Sequence, residues 1–243
     1  MTTVSACIIC LNEEEFIQPC LESVRNADEI ILVDGGSTDK TLDIINALNL
    51  PNIKVFHKKW EMNWGAQRNF ALQQATGEFV LQIDADEVLG DKGIGLLKEC
   101  AAEMMKTETI FADLEMHHFI WNFGLIDITK EHHWCIRRFF MNLKDRMEYK
   151  RVIHEFIQLK SEEPGRVGKA FSRVFKPYLP KLYHYGYCKG LKNVIKKYNI
   201  NKGISPVHTQ EFLKKWKQDH LFGTYPVKPF EGKHPEPIRR MIE

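Results

Sequence analysis

The sequence lacks several features, and each absence narrows the reading. No apolar run approaches the ~18 residues that a membrane span requires. The opening MTTVSACIIC has neither a basic segment nor a small-residue cleavage site. No signal peptide is therefore expected, and a cytoplasmic location is. The six cysteines, at 7, 10, 20, 100, 135 and 188, are too scattered for a disulfide framework. Cys7 and Cys10 form one CxxC, but no second pair lies nearby to complete a zinc site. A redox CxxC usually opens a helix, whereas VSACIIC reads as a buried strand. There is no internal repeat and no long low-complexity tract. The net charge is only +2, yet it is unevenly spread. Residues 1–120 hold 9 Lys and Arg against 20 Asp and Glu, and residues 121–243 hold 25 against 12. A basic second half invites an anionic partner or a membrane surface; a solvated face balanced by the acidic half is the plainer alternative.

Present instead is a regular alternation over the first hundred residues. VSACIIC, EIILVD, IKVFHK and EFVLQID read as strands rich in Ile and Val. Between them, EEEFIQPCLESVRNA, GGSTDKTLDIINAL and WGAQRNFALQQATG read as helices. The first is expected to carry acids in its first turn, the second to start at Ser37 or Thr38, and the third to end at Gly77. A further helix is expected near DKGIGLLKECAAEMM. The fold class is α/β, a mainly parallel central sheet with helices on both faces. Residues 1–105 form this ligand-binding half. Residues 106–243 form a less regular, basic half of the same compact domain. There, TIFADLEMHHFIWNFG and HHWCIRRFFMN read as aromatic-rich strands, GLKNVIKKYNINKG and TQEFLKKWKQDH as basic amphipathic helices, and GTYPVKPFEGKHPEPIRR as an extended surface tail. FIWNFGLI reads as a core strand ahead of a sugar-stacking or interfacial surface.

In such sheets ligands bind outside the carboxyl ends of the strands. Those ends are CLNEEE, VDGGSTD, HKKWEMN and DADE. DADE crowds three acids, Asp84, Asp86 and Glu87, at the tip of an apolar strand. Residues i and i+2 of an extended segment point to one side, so Asp84 and Asp86 are expected to share a divalent cation. A solvated acidic turn is the competing explanation.

VSACIICLNEEEFIQPCLESV, EIILVDGGSTDKT and GAQRNFALQQATGEFVLQIDADE together resemble the N-terminal half of family 2 glycosyltransferases of the GT-A fold, over about residues 4–90. The later RRFFMNLKDRMEYKRVIHE and LYHYGY resemble a bacterial branch that includes lipopolysaccharide-core glucosyltransferases. The resemblance implies transfer of a sugar from a nucleotide-diphosphate donor, a UDP-sugar for preference, to the hydroxyl of a saccharide or glycolipid acceptor. It implies Mn2+ or Mg2+ at Asp84 and Asp86, with His184 as a later ligand and His154 as the alternative. It assigns Asn12, Glu13, Asp34, Arg68 and Asp84 to the nucleotide. Inversion at the anomeric carbon requires a base, for which Glu155 is the first candidate and Asp127 and Glu131 follow. A structural pairing of Glu155 with Arg137 or Arg138 is the alternative. The doublets His117–His118 and His132–His133 lie in predicted strands, where neighbours face opposite sides, so neither doublet can aim both rings at one site. The basic helices, with Lys192, Lys196 and Lys197, are expected to meet an anionic acceptor or the inner face of the membrane.

Two other readings compete. A sugar-phosphate nucleotidyltransferase needs a glycine-rich phosphate loop after the first strand, where this chain has the acidic LNEEE. A non-catalytic basic module gripping nucleic acid gives no reason to keep acids at every strand end, so no nucleic-acid partner is expected.

Overall fold

The computed structural model describes residues 2–129, 134–152, 155–160, 178–189 and 210–243, together with positions 195, 199 and 203. The first four predicted strands form as β1 (Val4–Cys10), β2 (Glu29–Asp34), β3 (Ile53–His57) and β4 (Phe79–Asp84). They lie parallel in the order β3-β2-β1-β4. Every residue of β1 and β2 is buried, as expected for strands covered on both faces. Ala6, Ile8, Ile30, Leu32, Leu81 and Ile83 face one core, built against α1 (Ile17–Val24) and α4 (Gly93–Lys106). Cys7, Ile9, Ile31, Val33 and Val80 face the other, built against α3 (Trp64–Gln74). Cys7 and Cys10 therefore look into different cores, and burial pushes both thiols up, out of the reactive range.

Beyond β4 the sheet becomes mixed. A short strand that the pattern did not announce, β5 (Glu87–Leu89), follows β4 after a turn at Ala85–Asp86. β8 (Trp134–Met141) pairs antiparallel with β4 only along Phe79–Leu81, then with β6 (Phe111–Ile120). β11 (Leu182–Tyr187) pairs with β6 and β5. β7 (Leu125–Asp127) and β12 (Val227–Pro229) extend the edge, and β9 (Met147–Lys150) and β10 (Phe156–Leu159) form a separate hairpin. Ten strands drawn from both halves thus share one sheet.

Several expected boundaries move. Helix α1 begins at Ile17 and has no acid in its first turn, because Glu13 to Glu15 form the preceding turn and Pro19 sits in the third helical position, where its missing N–H costs nothing. Helix α2 (Thr41–Leu48) starts later than Ser37 or Thr38, since both of those residues bind the β1 loop instead. Helix α3 stops at Gln74, with Ala75 already extended. Gly77 is needed for another reason: a Cβ there would stand 2.6 Å from Ser5 Oγ and 2.8 Å from Ser5 N. QEFLKKWKQDH lies within α5 (Gln210–Phe222), whereas Thr209 and nearly all of GLKNVIKKYNINKG, with Lys192, Lys196 and Lys197, lie outside the described residues.

The tail is not an extended surface segment. It adds β12 to the sheet edge and ends in α6 (Glu236–Ile242). Ile238 is fully buried beside Phe16, Val88, Phe119, Tyr183 and Tyr185, with Phe230 packed against the group. Tyr185 Oη and His234 Nδ1 lie 2.8 Å apart. Apolar and aromatic side chains spaced along a Pro-rich segment dock it without regular structure between them. Phe119, from FIWNFGLI, is part of this core, and its neighbour Ile120 is fully buried.

Candidate active site

The carboxyl ends of β1 and β4, the start of α3, and residues from β8, β9 and β11 enclose a cavity of about 420 Å3. Asn12, Glu13, Arg68, Asp84, Asp86, Glu155 and His184 all line it, so residues up to 172 positions apart in sequence converge there.

Asn12, two residues past the end of β1, sits in the left-handed region at φ 57°, a conformation that Asn tolerates better than most residues. Its Oδ1 accepts from Thr38 N at 2.7 Å and its N–H donates to Ser37 Oγ at 2.9 Å, which ties the β1 loop to the β2 loop. Glu13 N–H donates to Thr41 Oγ1 at 2.8 Å, and the Glu13 carboxylate pairs with Lys189. Asp34 is placed differently. Its carboxylate accepts from Gly36 N at 2.9 Å and Ser37 N at 3.1 Å, and it does not line the cavity. In this structure Asp34 shapes the Gly-Gly-Ser turn, with Gly36 at φ 103°.

The centre is a buried charge network. Arg68 Nη1 and Nη2 meet the two oxygens of Asp84 at 2.7 and 3.1 Å, while its Nε donates to Glu155 Oε1 at 2.6 Å. Arg138 Nη2 reaches Asp84 Oδ2 and Glu87 Oε1, each at 2.7 Å. Glu87 Oε2 also accepts from Asp84 N at 2.8 Å. Arg68 is therefore a buried bidentate clamp and not a surface ion pair. Glu155 pairs with Arg68 and not with Arg137 or Arg138. Burial pushes the Asp84 carboxyl up, but the charges of Arg138 and Arg68 outweigh it and hold Asp84 well below the usual carboxylate range. Burial dominates at Glu87, with Asp84 and Asp86 adding to it against the pull of Arg138, and its pKa rises to about 7.

Local packing sets this geometry. The β4–β8 register ends at Leu81 opposite Phe139, so Arg138 falls beside the tip of β4. Residues 149–152 are pinned to α3: Asn69 Nδ2 donates to Tyr149 O at 3.0 Å and Tyr149 N donates back to Asn69 Oδ1 at 2.7 Å. Trp64 N donates to Val152 O at 3.1 Å. Gly65 allows that approach, because a Cβ there would lie 2.4 Å from Arg151 O.

The expected alignment of Asp84 and Asp86 along one strand does not hold, since the strand ends at Asp84 and the chain turns. Asp86 faces His184, with Oδ1 and Nε2 3.6 Å apart. Among the described residues no three His, Cys, Asp or Glu side chains form a ready metal cage. One carboxylate and one imidazole across this gap are donor types that would suit a divalent cation such as Mn2+. Asp84, with both oxygens on guanidinium groups, fits the role of support beside that position. His118 stacks on His184 at 4.2 Å, while His117 packs on Tyr183 and Phe230, so the doublet does face opposite ways. Asp127 accepts from Tyr225 Oη at 3.2 Å and from Thr129 N at 2.7 Å, and does not line the cavity. Glu131, His132, His133 and His154 lie outside the described residues.

Sequence reasoning missed Lys189, Trp60, Tyr149 and the pivotal place of Arg138. The third acid of DADE was the available signal: a buried Glu87 demands a cation, and RRFF supplies it.

The family model for glycosyl transferase family 2 matches residues 5–160. Among curated proteins, the SPbeta prophage-derived glycosyltransferase SunS of Bacillus subtilis (strain 168) is 28% identical over 213 residues, 87% of this chain and 45% of that protein. The lipopolysaccharide core biosynthesis glycosyltransferase LpsC of Rhizobium meliloti is 38% identical over 105 residues, 42% of this chain and 37% of that protein. The chain thus spans less than half the length of these two relatives. Among solved structures, S. aureus TarS 1-349 in complex with UDP-GlcNAc aligns over 90% of this chain and 71% of that chain, at 18% identity and a TM-score of 0.49. The mannosyltransferase PcManGT from Pyrobaculum calidifontis in complex with GDP-Man and Mn2+ aligns over 46% of this chain and 35% of that chain, at 22% identity and a TM-score of 0.42. The matched family segment contains the parallel strands, the DADE tip and the clamp that closes on it, and the chain belongs to glycosyltransferase family 2, with the GT-A fold.

Proposed function

We infer that this chain transfers a sugar from a nucleoside-diphosphate donor, a UDP-sugar for preference, to an acceptor hydroxyl, with inversion at the anomeric carbon. One observation carries the reading. Asp86, His184, Arg68 and Glu155 converge on one cavity at the carboxyl ends of the parallel strands in a chain of this family. Asn12 and Glu13 border the nucleoside, and Asp34 acts through the turn that it shapes. Asp86 and His184 hold Mn2+ or Mg2+, with Asp84 as their support; the cation supplies Lewis-acid stabilisation of the leaving diphosphate. Arg68 contributes a guanidinium whose fork suits phosphate oxygens, once it turns from Asp84. Glu155 is the base. It takes the proton of the acceptor hydroxyl as that oxygen bonds to the anomeric carbon. The bond from that carbon to the diphosphate oxygen breaks, and the diphosphate leaves with the electron pair.

The acceptor is a saccharide or glycolipid of surface-glycan assembly, anionic in character, reached from the cytoplasmic face of the membrane. Among the described residues no helix is long and apolar enough to cross a membrane. The two halves, 1–105 and 106–243, act as donor and acceptor sides of one unit.

Calorimetric titration of UDP, GDP and CMP, with and without Mn2+, on the wild type and Asp86→Ala tests the reading. Metal-dependent UDP binding that disappears in the variant is expected. Failure of the wild type to bind any nucleotide would remove the transferase reading.

A further inference from the structure

The cavity has two unlike ends. One is the charge network around Asp84. The other is aromatic: Trp60 and Trp64 line it as half-buried indoles, with ring centroids 4.4 Å apart and planes at 59°. Both are held from behind. Trp60 N donates to Gly35 O at 3.0 Å, and a Cβ on Gly35 would stand 3.3 Å from Trp60 Cβ and 3.5 Å from Leu11 Cβ. Trp60 is thus built onto the β2 turn beside the tip of β1. Trp64 opens α3 and is anchored to Val152 O at 3.1 Å. Trp64 and Arg68 are four residues apart on that helix, which puts them on one face.

The cavity wall therefore runs from Trp60 through Trp64 and Arg68 to Asp84 and Asp86. Trp60 lies against Gly35 at the β2 tip and Leu11 at the β1 tip, and Asp86 follows β4, one to two strand positions away in the order β3-β2-β1-β4. At the usual strand spacing this separates the two ends by roughly 5–10 Å. A flat ring suits the aromatic end, and an anionic group suits the other end through Arg68 and the cation of the transferase reading. Cys10 and Leu11, which close the β1 tip, offer no ring. The other aromatic side chains of the wall have partners of their own: Tyr149 is buried beneath Arg68, with the guanidinium 5.9 Å from its ring, Tyr187 packs on Trp216 at 5.4 Å and His184 at 5.5 Å, and the exposed Phe156 carries the Arg151 guanidinium at 5.1 Å.

We propose that Trp60, backed by Trp64, is the stacking platform for the nucleobase of the donor, and so a determinant of donor affinity. The inference rests on the transferase reading above and deepens it. Base–aromatic stacking is sequence-tolerant, so Trp60 sets affinity, and the choice among bases falls to groups at the base edge.

The test uses the full chain with Mn2+ present and measures dissociation constants for UDP and for inorganic pyrophosphate, which has no base. Trp60→Ala is expected to weaken UDP about ten- to a hundredfold, in line with the usual loss of one stacking ring, and to leave pyrophosphate unchanged. Trp60→Phe should keep most of the UDP affinity. Equal loss of both ligands in Trp60→Ala and Trp60→Phe would mark Trp60 as a scaffold residue and overturn the proposal. Unchanged UDP affinity with a raised acceptor KM would overturn it in favour of an acceptor-sugar platform, while the transferase reading survives. A wild type that binds neither UDP, GDP nor CMP would remove both together.

Discussion

Residues 1–120 and 121–243 carry opposite charge, and they satisfy it in different ways. Within the first half, acids find local partners. Glu29 accepts from Ser5 Oγ at 2.6 Å, from Thr76 Oγ1 at 2.9 Å, from Thr76 N, and from Lys54 Nζ at 3.0 Å, all from neighbouring strands and turns. Asp28 pairs with Lys98 at 2.9 Å. At the cavity the pattern changes: the acids of the first half take their cations from the second. Asp84 and Glu87 pair with Arg138, Glu13 pairs with Lys189, and Asp86 faces His184. The same holds at the rim, where Glu22 meets Arg240 at 2.6 Å and Asp91 meets Arg239 at 3.2 Å. Among the described residues only Arg68 with Glu155 runs in the opposite sense, and Arg68 also holds Asp84 from within the first half. The lesson concerns the lopsided charge of the sequence. A good part of it is complementarity between two halves that close over a site, not a signal to an external partner.

The comparison can be broken at three points. Glu155→Gln should have the largest effect. It removes the proposed base while Arg68 keeps Asp84, so turnover should fall about 100- to 10,000-fold with UDP affinity nearly unchanged. Turnover within tenfold of wild type in a steady-state assay would move the base elsewhere. Arg138→Met comes next. It leaves Glu87 without its cation while Arg68 keeps Asp84, and loss of one partner in a buried pair costs about 3–5 kcal/mol. Urea melts at pH 7 should show that loss, and a change under 1 kcal/mol would mean that water reaches the network.

The third point lies within the first half. Burial pushes the Glu29 carboxyl up, but hydrogen bonds from Ser5, Thr76 and Lys54 outweigh it and lower its pKa to about 2. A depressed carboxylate adds stability above its unfolded pKa of about 4.5 and loses it as the pH falls through about 2. The shift corresponds to about 3 kcal/mol at neutral pH. Glu29→Gln should therefore be less stable than wild type at pH 7 by up to that amount, and the gap should close below pH 2. A gap of equal size at pH 7 and pH 2 would show that packing, and not charge, accounts for it.

Much of the first half was legible because its signals are local. Val and Ile runs punctuated by helices specify a parallel sheet, and the strand-end rule then locates the ligand side. Asp84 and Asp86 were accessible to this logic, since they lie at a predicted strand end; Asn12, Glu13 and Arg68 were named through the resemblance of their motifs to the family. The helix boundaries were less accessible. Ser37 and Thr38 look like caps, yet in the fold both bind the β1 loop. Glu155 and His184 could be named, but their surroundings could not. Nor could the docking of the tail, which depends on Phe230 and Ile238 finding an aromatic core built by β6 and β11.

The sequence by itself determined the α/β alternation, the side of the sheet that binds ligand and the acidic tip at DADE, because strand and helix periodicities are written in neighbouring residues. The tertiary structure decided which charges meet. Arg138, Lys189, Glu155 and His184 reach the tips of β1 and β4 only through the β4–β8 register, the clasp between α3 and Tyr149, and the pairing of β11 with β5 and β6. Those contacts join segments far apart in the chain, and the free energy of burying a charge depends on the partner that folding brings to it.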